Sequence, residues 1–146
     1  MKAENIEELI KLDGDSLLSL IRGSHYDHYC LPIVELEDGT EYAIALDDED
    51  ADAACREYIQ ISLWAFSPSF IAQETGMPIE IFEALVKANL CEGANEAVMA
   101  CIEATCGIDS FVESAISWDG RGHFLSDYDG HEVELEGSNS YAYRIS

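Results

Sequence analysis

An Asp-Gly dipeptide between two alternating segments is the feature that most restricts how this chain can fold. Asp38-Gly39 separates residues 33–37 from residues 40–46, and both segments place an apolar side chain at every second position. Such alternation is typical of strands with one buried face. Asp-Gly suits a two-residue turn, since both central residues of that turn need positive φ. The sequence therefore predicts an antiparallel β-hairpin over residues 33–46.

A second Asp-Gly dipeptide, Asp129-Gly130, predicts a second hairpin near the C-terminal end. Its strands are expected at residues 122–128 and 131–136. Residues 137–139 then form a turn into a final strand at residues 140–145.

Most of the remaining sequence shows helical periodicity and capping residues, which predict helices. Predicted helices cover residues 3–12, 16–22, 47–66, 68–75, 78–90, 95–106 and 109–117, with Asp15 as the predicted N-cap of the second helix and Asn95 as that of the sixth. The predicted fold class is α+β, a helical middle segment flanked by N-terminal and C-terminal antiparallel β-hairpins that are candidates for one shared sheet. No repeat or linker interrupts residues 1–146, which predicts a single domain.

Charge is the most unusual property of the composition. Thirty Asp and Glu residues oppose seven Lys and Arg residues, a formal net charge of -23. Like charges repel when a chain compacts. Such a bias is typical of proteins that live in high salt or that meet a cationic partner. Free nucleic acid and anionic membranes are poor partners, because binding to phosphate depends on Lys and Arg.

The acidic residues are densest in two segments, which we predict to form a partner-binding face. A solvated outer surface is the alternative interpretation. The predicted face comprises Glu35, Glu37, Asp38, Glu41, Asp47, Asp48, Glu49, Asp50, Asp52, Asp127, Asp129, Glu132, Glu134 and Glu136.

The cellular compartment is predicted from the start of the chain and from its cysteines. The N-terminal residues lack the basic and apolar regions of a signal peptide, and no apolar run is long enough to span a bilayer. Five cysteines form no C-x-x-C pair, which favours reduced thiols in a cytoplasm.

Residues 70–85 resemble a DNA-binding helix pair in the spacing of Ala72, Gly76 and Leu85. The position of the reading helix carries Glu80 and Glu83, however, whereas a reading helix needs cations that reach phosphates. We therefore expect a structural helix pair rather than a DNA reader.

His25, His28 and Cys30 lie within one short segment and carry atoms that bind zinc. No second pair of ligands with a recognisable spacing follows them. The segment is predicted as a polar and aromatic loop, and metal binding stays an open alternative.

Arg121 and His123 lie between glycines in the run from Asp119 to Glu132. Arg and His are capable of acid–base chemistry, so this loop is the first place to look for an active site. Asp-Gly turns explain the same spacing without any catalysis.

The run from Asp119 to Glu132, with residues 91–97 before it, resembles uncharacterised small acidic proteins of tailed phages and mobile elements. The resemblance covers roughly the C-terminal half and implies no catalytic residues. It implies takeover of a host or counter-defence, such as an anti-CRISPR or anti-restriction role.

Together these features predict a non-enzymatic inhibitor without a cofactor. It would bind a basic, nucleic-acid-binding host protein or defence complex through an acidic, DNA-mimicking surface. Two alternatives are a small enzyme centred on Arg121 and His123 and a halophilic housekeeping protein.

Overall fold

The α+β class predicted from the sequence is confirmed by the computed structural model, which describes residues 2–89 and 91–146. In chain order the elements are α1 (Ile6–Lys11), α2 (Gly14–Ile21), β1 (Ile33–Glu35), β2 (Glu41–Ala45), α3 (Asp48–Ile61), α4 (Pro68–Thr75), α5 (Ile79–Asn89), α6 (Asn95–Ala104), α7 (Ile108–Asp119), α8 (Arg121–Leu125), β3 (Val133–Leu135) and β4 (Ser140–Arg144). Short 3-10 helices lie at Leu63–Ala65 and Cys91–Ala94. Within the described ranges, no helix combines the length and hydrophobicity that a membrane span requires.

The contacts within the chain divide it into two compact units. The sheet unit comprises the residues up to Glu57 together with Asp119–Ser146, and the helical unit comprises Tyr58–Trp118. The division falls inside α3. All four strands belong to the sheet unit.

The two hairpins share one antiparallel sheet, in the strand order β1-β2-β4-β3. β2 and β4 are its central strands, with Ile44 opposite Ala142. The shared sheet expected from the sequence is therefore confirmed, and it brings the two acidic segments into the same unit.

The first hairpin forms where it is predicted, but its turn is longer than expected. The Gly39 amide donates to the Leu36 carbonyl at 3.0 Å, and the Leu36 amide donates to the Thr40 carbonyl at 2.8 Å. Only Gly39 has positive φ in this turn, at 88°. The result is a three-residue loop with glycine in the left-handed position, so the prediction of a two-residue turn is wrong.

A second hairpin does form in the C-terminal part of the chain, but its turn is not at Asp129-Gly130. Residues 121–125 form α8, and Asp129-Gly130 lies in a loop. The paired strands are β3 and β4, with the turn at residues 136–139. The predicted strand at 122–128 is therefore wrong, whereas the strands predicted at 131–136 and 140–145 are confirmed by β3 and β4. The Ser126 hydroxyl accounts for the loop, because it lies 2.9 Å from both the Arg144 carbonyl and the Asp129 carboxylate and accepts the amides of Asp129 and Gly130.

Several helix ends also differ from the prediction. Asp13 rather than Asp15 caps α2, accepting the Ser16 amide at 2.7 Å. α3 ends at Ile61 instead of continuing to Phe66. The predicted end of α5 at Leu90 lies outside the described residues.

One face of the sheet is covered by α1 and α2. Tyr42, Ile44, Leu135 and Ala142 pack there against the buried Leu9. Further members of this core are Ala3, Leu17, Ile21, Val34 and Leu36. Burial of this apolar set stabilises the sheet unit.

In the helical unit, Phe66, Phe70 and Phe111 form a cluster with ring centroids 5.3–5.6 Å apart. The predicted helix pair is confirmed, because α4 and α5 are separated by Gly76 in the left-handed conformation. Glu80 and Glu83 on α5 are exposed, which leaves this helix acidic on its solvent side.

Candidate protein interaction site

The sheet face opposite α1 and α2 gathers carboxylates from both acidic segments. Residues paired across antiparallel strands point to the same face, and residues two apart along a strand do so too. β1 and β2 pair Glu35 with Glu41, and β3 and β4 pair Glu134 with Tyr141. We call the set on this side the acidic sheet face; it consists of Glu35, Glu41, Asp48, Asp52, Glu132 and Glu134.

Arg121 lies over Tyr141 of this face and joins the two acidic segments. Its guanidinium forms a fork with Glu132, with Nε–Oε2 at 2.7 Å and Nη2–Oε1 at 3.2 Å. It also bonds Asp48 (Nη2–Oδ1, 3.0 Å) and Asp52 (Nη1–Oδ1, 3.2 Å). The ring of Tyr141 lies beneath it, 4.5 Å from the guanidinium carbon.

All five N–H donors of Arg121 have a partner, because Nη1 also donates to the Asp48 carbonyl at 3.4 Å. The side chain is only 13% exposed. Burial opposes its charge, yet the hydrogen bond to Glu132 and the neighbouring negative charges raise the pKa of Arg121 above its ordinary value. This arginine is therefore permanently charged and fully engaged.

Three carboxylates surround this one cation, so the group keeps a negative excess. The pKa of Asp48 is lowered, first by a hydrogen bond from Tyr141 and then by Arg121. The side chains of Asp48 and Asp52 remain 72% and 57% exposed, and that of Glu132 is 29% exposed. Carboxylate oxygens on this face are accordingly accessible to a cationic partner.

Two buried side chains support the group from below. The Tyr143 hydroxyl donates to Glu132 Oε2 at 2.5 Å and helps to fix that carboxylate. Burial, followed by this hydrogen bond, raises the pKa of Tyr143. Cys55 of α3 is also buried, and burial raises the pKa of its thiol to about 12. Both groups are neutral near pH 7, so they add no further negative charge to that of the carboxylates.

Gly122 explains how Glu132 comes so close to Arg121. A Cβ on this residue would lie 2.6–2.7 Å from the backbone of Gly130, His131 and Glu132. Only glycine permits this approach. The loop of residues 126–132 therefore rests directly on α8 and places Glu132 beside the guanidinium.

Arg144 organises a second, smaller group at the end of β4. Its guanidinium carbon lies 3.7 Å from the centre of the Tyr128 ring. The pKa of Asp38 is lowered mainly by hydrogen bonds from Thr40, with a further contribution from Arg144. Partial burial opposes ionisation of Asp129, but hydrogen bonds from His131 and Ser126 prevail and lower its pKa. Asp38 and Asp129, one from each acidic segment, thus both respond to the charge of Arg144.

The other predicted face residues belong to neither group. Asp47 caps α3 by accepting the Asp50 amide at 2.8 Å. Asp127 lies 3.9 Å from the ring of His28. The remaining members are exposed: Glu37, Glu49, Asp50 and Glu136.

The proposed metal ligands are engaged separately. His28 is buried, and its Nε2 lies 2.6 Å from the Leu125 carbonyl. The Cys30 thiol donates to Glu57 at 3.3 Å. In the part of the chain that the structure describes, no three His, Cys, Asp or Glu side chains are grouped so that they could hold a metal ion.

Sequence reasoning did not select Tyr141, Tyr143 or Cys55 as members of a site. Tyr141 and Tyr143 are two residues apart on β4, which is the spacing that places both on one face of a sheet. Cys55 lies seven residues after Asp48 on α3, a helical repeat that was available in the sequence. His123, by contrast, is exposed on α8 and is absent from the Arg121 group.

The fold and the site define an α+β protein with an acidic, arginine-centred face on one side of its sheet. Comparison with protein-family models, with curated proteins and with solved structures found no match.

Proposed function

We propose that this protein is a non-enzymatic inhibitor that binds a basic, nucleic-acid-binding host protein through the acidic sheet face. The observation that carries the proposal is the meeting of Asp48, Asp52 and Glu132 at Arg121. Like charges so close together cost stability in the free protein unless a cation compensates them. One arginine compensates only part of this charge, and a cationic partner would neutralise the remainder.

The geometry of the face favours a partner that ordinarily binds phosphates. Carboxylates on neighbouring strands and on the first turns of α3 present a two-dimensional array of negative charges. An Arg- and Lys-rich groove built for nucleic acid is complementary to such an array. The net charge of -23 would also speed the encounter with that groove. The phage-like resemblance of the C-terminal half is compatible with a host defence complex as the target.

An enzymatic role centred on Arg121 is less well supported. The five donors of this guanidinium are taken up by carboxylates and a backbone carbonyl, which leaves none for the anionic group of a substrate. The fork to Glu132 is typical of a structural ion pair.

A capture experiment with matched charge variants tests the proposal. The face variant combines Glu35→Gln, Glu41→Gln and Glu134→Gln, three positions that do not contact Arg121. The control combines Glu83→Gln, Glu103→Gln and Glu113→Gln in the helical unit, which changes the net charge equally. Each protein is immobilised and exposed to the heparin-binding fraction of a bacterial lysate, which is rich in nucleic-acid-binding proteins.

We expect the wild type and the control to retain one basic protein that the face variant loses. Duplex DNA should displace this protein, and its affinity should fall steeply as salt rises. Equal retention by the face variant and the control, or binding insensitive to salt, would contradict the proposal. A halophilic protein would instead unfold in low salt, which circular dichroism detects in the same samples.

A further inference from the structure

The sheet unit contains a cleft of 340 Å³ on the side of α3 that does not meet Arg121. Asp50, Ala53, Ala54 and Glu57 form one wall, because residues three, four and seven apart lie on one face of a helix. The other wall comes from the segment that precedes β1, with Tyr26, Tyr29, Cys30, Leu31 and Pro32. A volume of this size is within the range of clefts that bind small organic groups.

The chemistry of the cleft suits a cation with an apolar stem. Asp50 and Glu57 are exposed and stand about 10 Å apart along the helix axis, at the two ends of the wall. Because the side chains of Ala53 and Ala54 are small, the space between Asp50 and Glu57 stays open. Leu31 and Pro32 are buried and provide an apolar floor. Long basic side chains bury their methylene stems against such surfaces while the charged end meets a carboxylate.

The opposite wall contributes aromatic rings. Tyr26, which is 59% exposed, and Tyr29 both line the cleft. The Cys30 thiol, next in sequence, donates to Glu57 at 3.3 Å and thereby ties this wall to α3. Tyrosine faces attract cations, and the guanidinium plane stacks on them particularly well.

Two arginines elsewhere in this chain already stack on tyrosine rings. Arg121 stacks on Tyr141 between carboxylates, and Arg144 stacks on Tyr128. The cleft offers tyrosine rings and carboxylates of the same kind. Among its lining residues, as far as the described ranges extend, there is neither an arginine nor a lysine.

We propose that this cleft binds one arginine side chain of the basic partner. The inference rests on the proposed function and specifies one contact within it. The guanidinium meets Glu57 beside a tyrosine ring, and the methylene stem lies along Leu31, Pro32 and Ala53, with the charge of Asp50 at the other end of the wall adding to the attraction. A buried arginine in a pocket is a common anchor of protein interfaces.

Titration with short peptides, followed by NMR of the labelled protein, tests the cleft directly. The probe is acetyl-Gly-Arg-Gly-amide, and the comparison peptides carry lysine or citrulline, the neutral isostere of arginine, in its place. We expect saturable shifts of the backbone amides of residues 26–31 and 50–57 with the arginine peptide. Binding of the citrulline peptide should be at least tenfold weaker. Equal binding of the citrulline or the lysine peptide would overturn the assignment to arginine.

Two variants locate the binding. Ala53→Phe fills the cleft without changing any charge, and Ala53 is exposed, so the fold should tolerate it. The pair Asp50→Asn and Glu57→Gln keeps the shape and removes the charge. Each should weaken binding of the arginine peptide at least tenfold, whereas the control Glu113→Gln in the helical unit should not. Unchanged binding to both cleft variants would overturn the inference.

Repeating the capture experiment with Ala53→Phe separates this inference from the proposed function. We expect Ala53→Phe to weaken capture of the partner that the face variant loses. Full capture by Ala53→Phe, alongside loss by the face variant, would refute the cleft contact and leave the proposed function intact. Binding of the arginine peptide in the cleft, alongside equal capture by the face variant and its control, would refute the proposed function and support the cleft.

Discussion

Arg121 and Glu132 are joined by two hydrogen bonds, one from Nε to Oε2 at 2.7 Å and one from Nη2 to Oε1 at 3.2 Å. This fork fastens α8 to the residue just before β3. The same guanidinium bonds Asp48 and Asp52 at the start of α3. A single arginine therefore allows the two most acidic segments of the chain to lie side by side.

Replacing Arg121 should destabilise the protein, since three carboxylates would lose their cation. We expect Arg121→Ala to lower the free energy of unfolding by about 2–3 kcal/mol, less than for a fully buried pair because Asp48 and Asp52 can be rehydrated. Arg121→Lys should cost about 1–2 kcal/mol, because lysine cannot form the fork. Urea denaturation measures both, and Arg22→Ala at an exposed position is the control. If Arg121→Ala lowered the free energy of unfolding by less than about 0.5 kcal/mol, the effect would lie within the range of ordinary surface substitutions and would contradict a structural role.

Gly122→Ala should be among the most damaging small substitutions in the sheet unit. The added Cβ would lie 2.6–2.7 Å from backbone atoms of residues 130–132, which cannot move without displacing Glu132. We expect a loss of about 3 kcal/mol in unfolding free energy. Gly14→Ala is the matched control, because nothing lies within 4 Å of a Cβ at that first position of α2. It should be neutral or stabilise by up to about 1 kcal/mol. Similar losses for both variants would contradict the close approach.

Stability should fall in alkaline solution because of Cys55. Its pKa is raised to about 12 in the fold, against an ordinary value of 9.0. Between these values the unfolded chain releases the thiol proton and the folded chain retains it, so unfolding becomes easier as pH rises. The pKa of Tyr143 is raised as well, which adds to the effect above pH 10.

Urea titrations from pH 8 to pH 11 measure this dependence. The slope attributable to Cys55 approaches about 1.4 kcal/mol per pH unit above pH 9. Cys55→Ala should flatten the curve by that amount. Parallel curves for Cys55→Ala and the wild type would refute the assignment.

Cys30 should react more slowly with alkylating reagents than its exposure suggests. The hydrogen bond to Glu57, and then the charge of that carboxylate, raise the pKa of the thiol. Since the thiolate is the reactive form, Glu57→Gln should accelerate alkylation of Cys30 by iodoacetamide at pH 8 by about two- to fivefold. Peptide mass spectrometry assigns the reaction to Cys30, and Glu113→Gln serves as the control. No acceleration in Glu57→Gln would show that Glu57 does not control this thiol.

Local signals were most reliable where the deciding contacts are close in sequence. The hairpin at Asp38-Gly39 was predicted correctly because alternation and a glycine turn act within a few residues. The hairpin at Asp129-Gly130 was misplaced because distant groups decide that region. Gly122 packs against a backbone eight or more residues away, and Ser126 bonds the Arg144 carbonyl. Similarly, Asn95 was expected to cap α6, but its side chain instead donates to the Gln60 carbonyl at 2.7 Å.

The sequence by itself determined the α+β class, the negative charge and the two segments in which that charge is densest, since composition and short-range periodicity carry this information. Only the tertiary structure decided that Asp48, Asp52 and Glu132 converge on Arg121. Their approach depends on the pairing of β2 with β4, which joins residues 96 to 102 positions apart, and on the backbone contact of Gly122 with residues 130–132. Arg121 and Asp52 themselves are 69 positions apart in the sequence. Repulsion alone would keep these carboxylates apart, and the buried guanidinium and the packed sheet outweigh it.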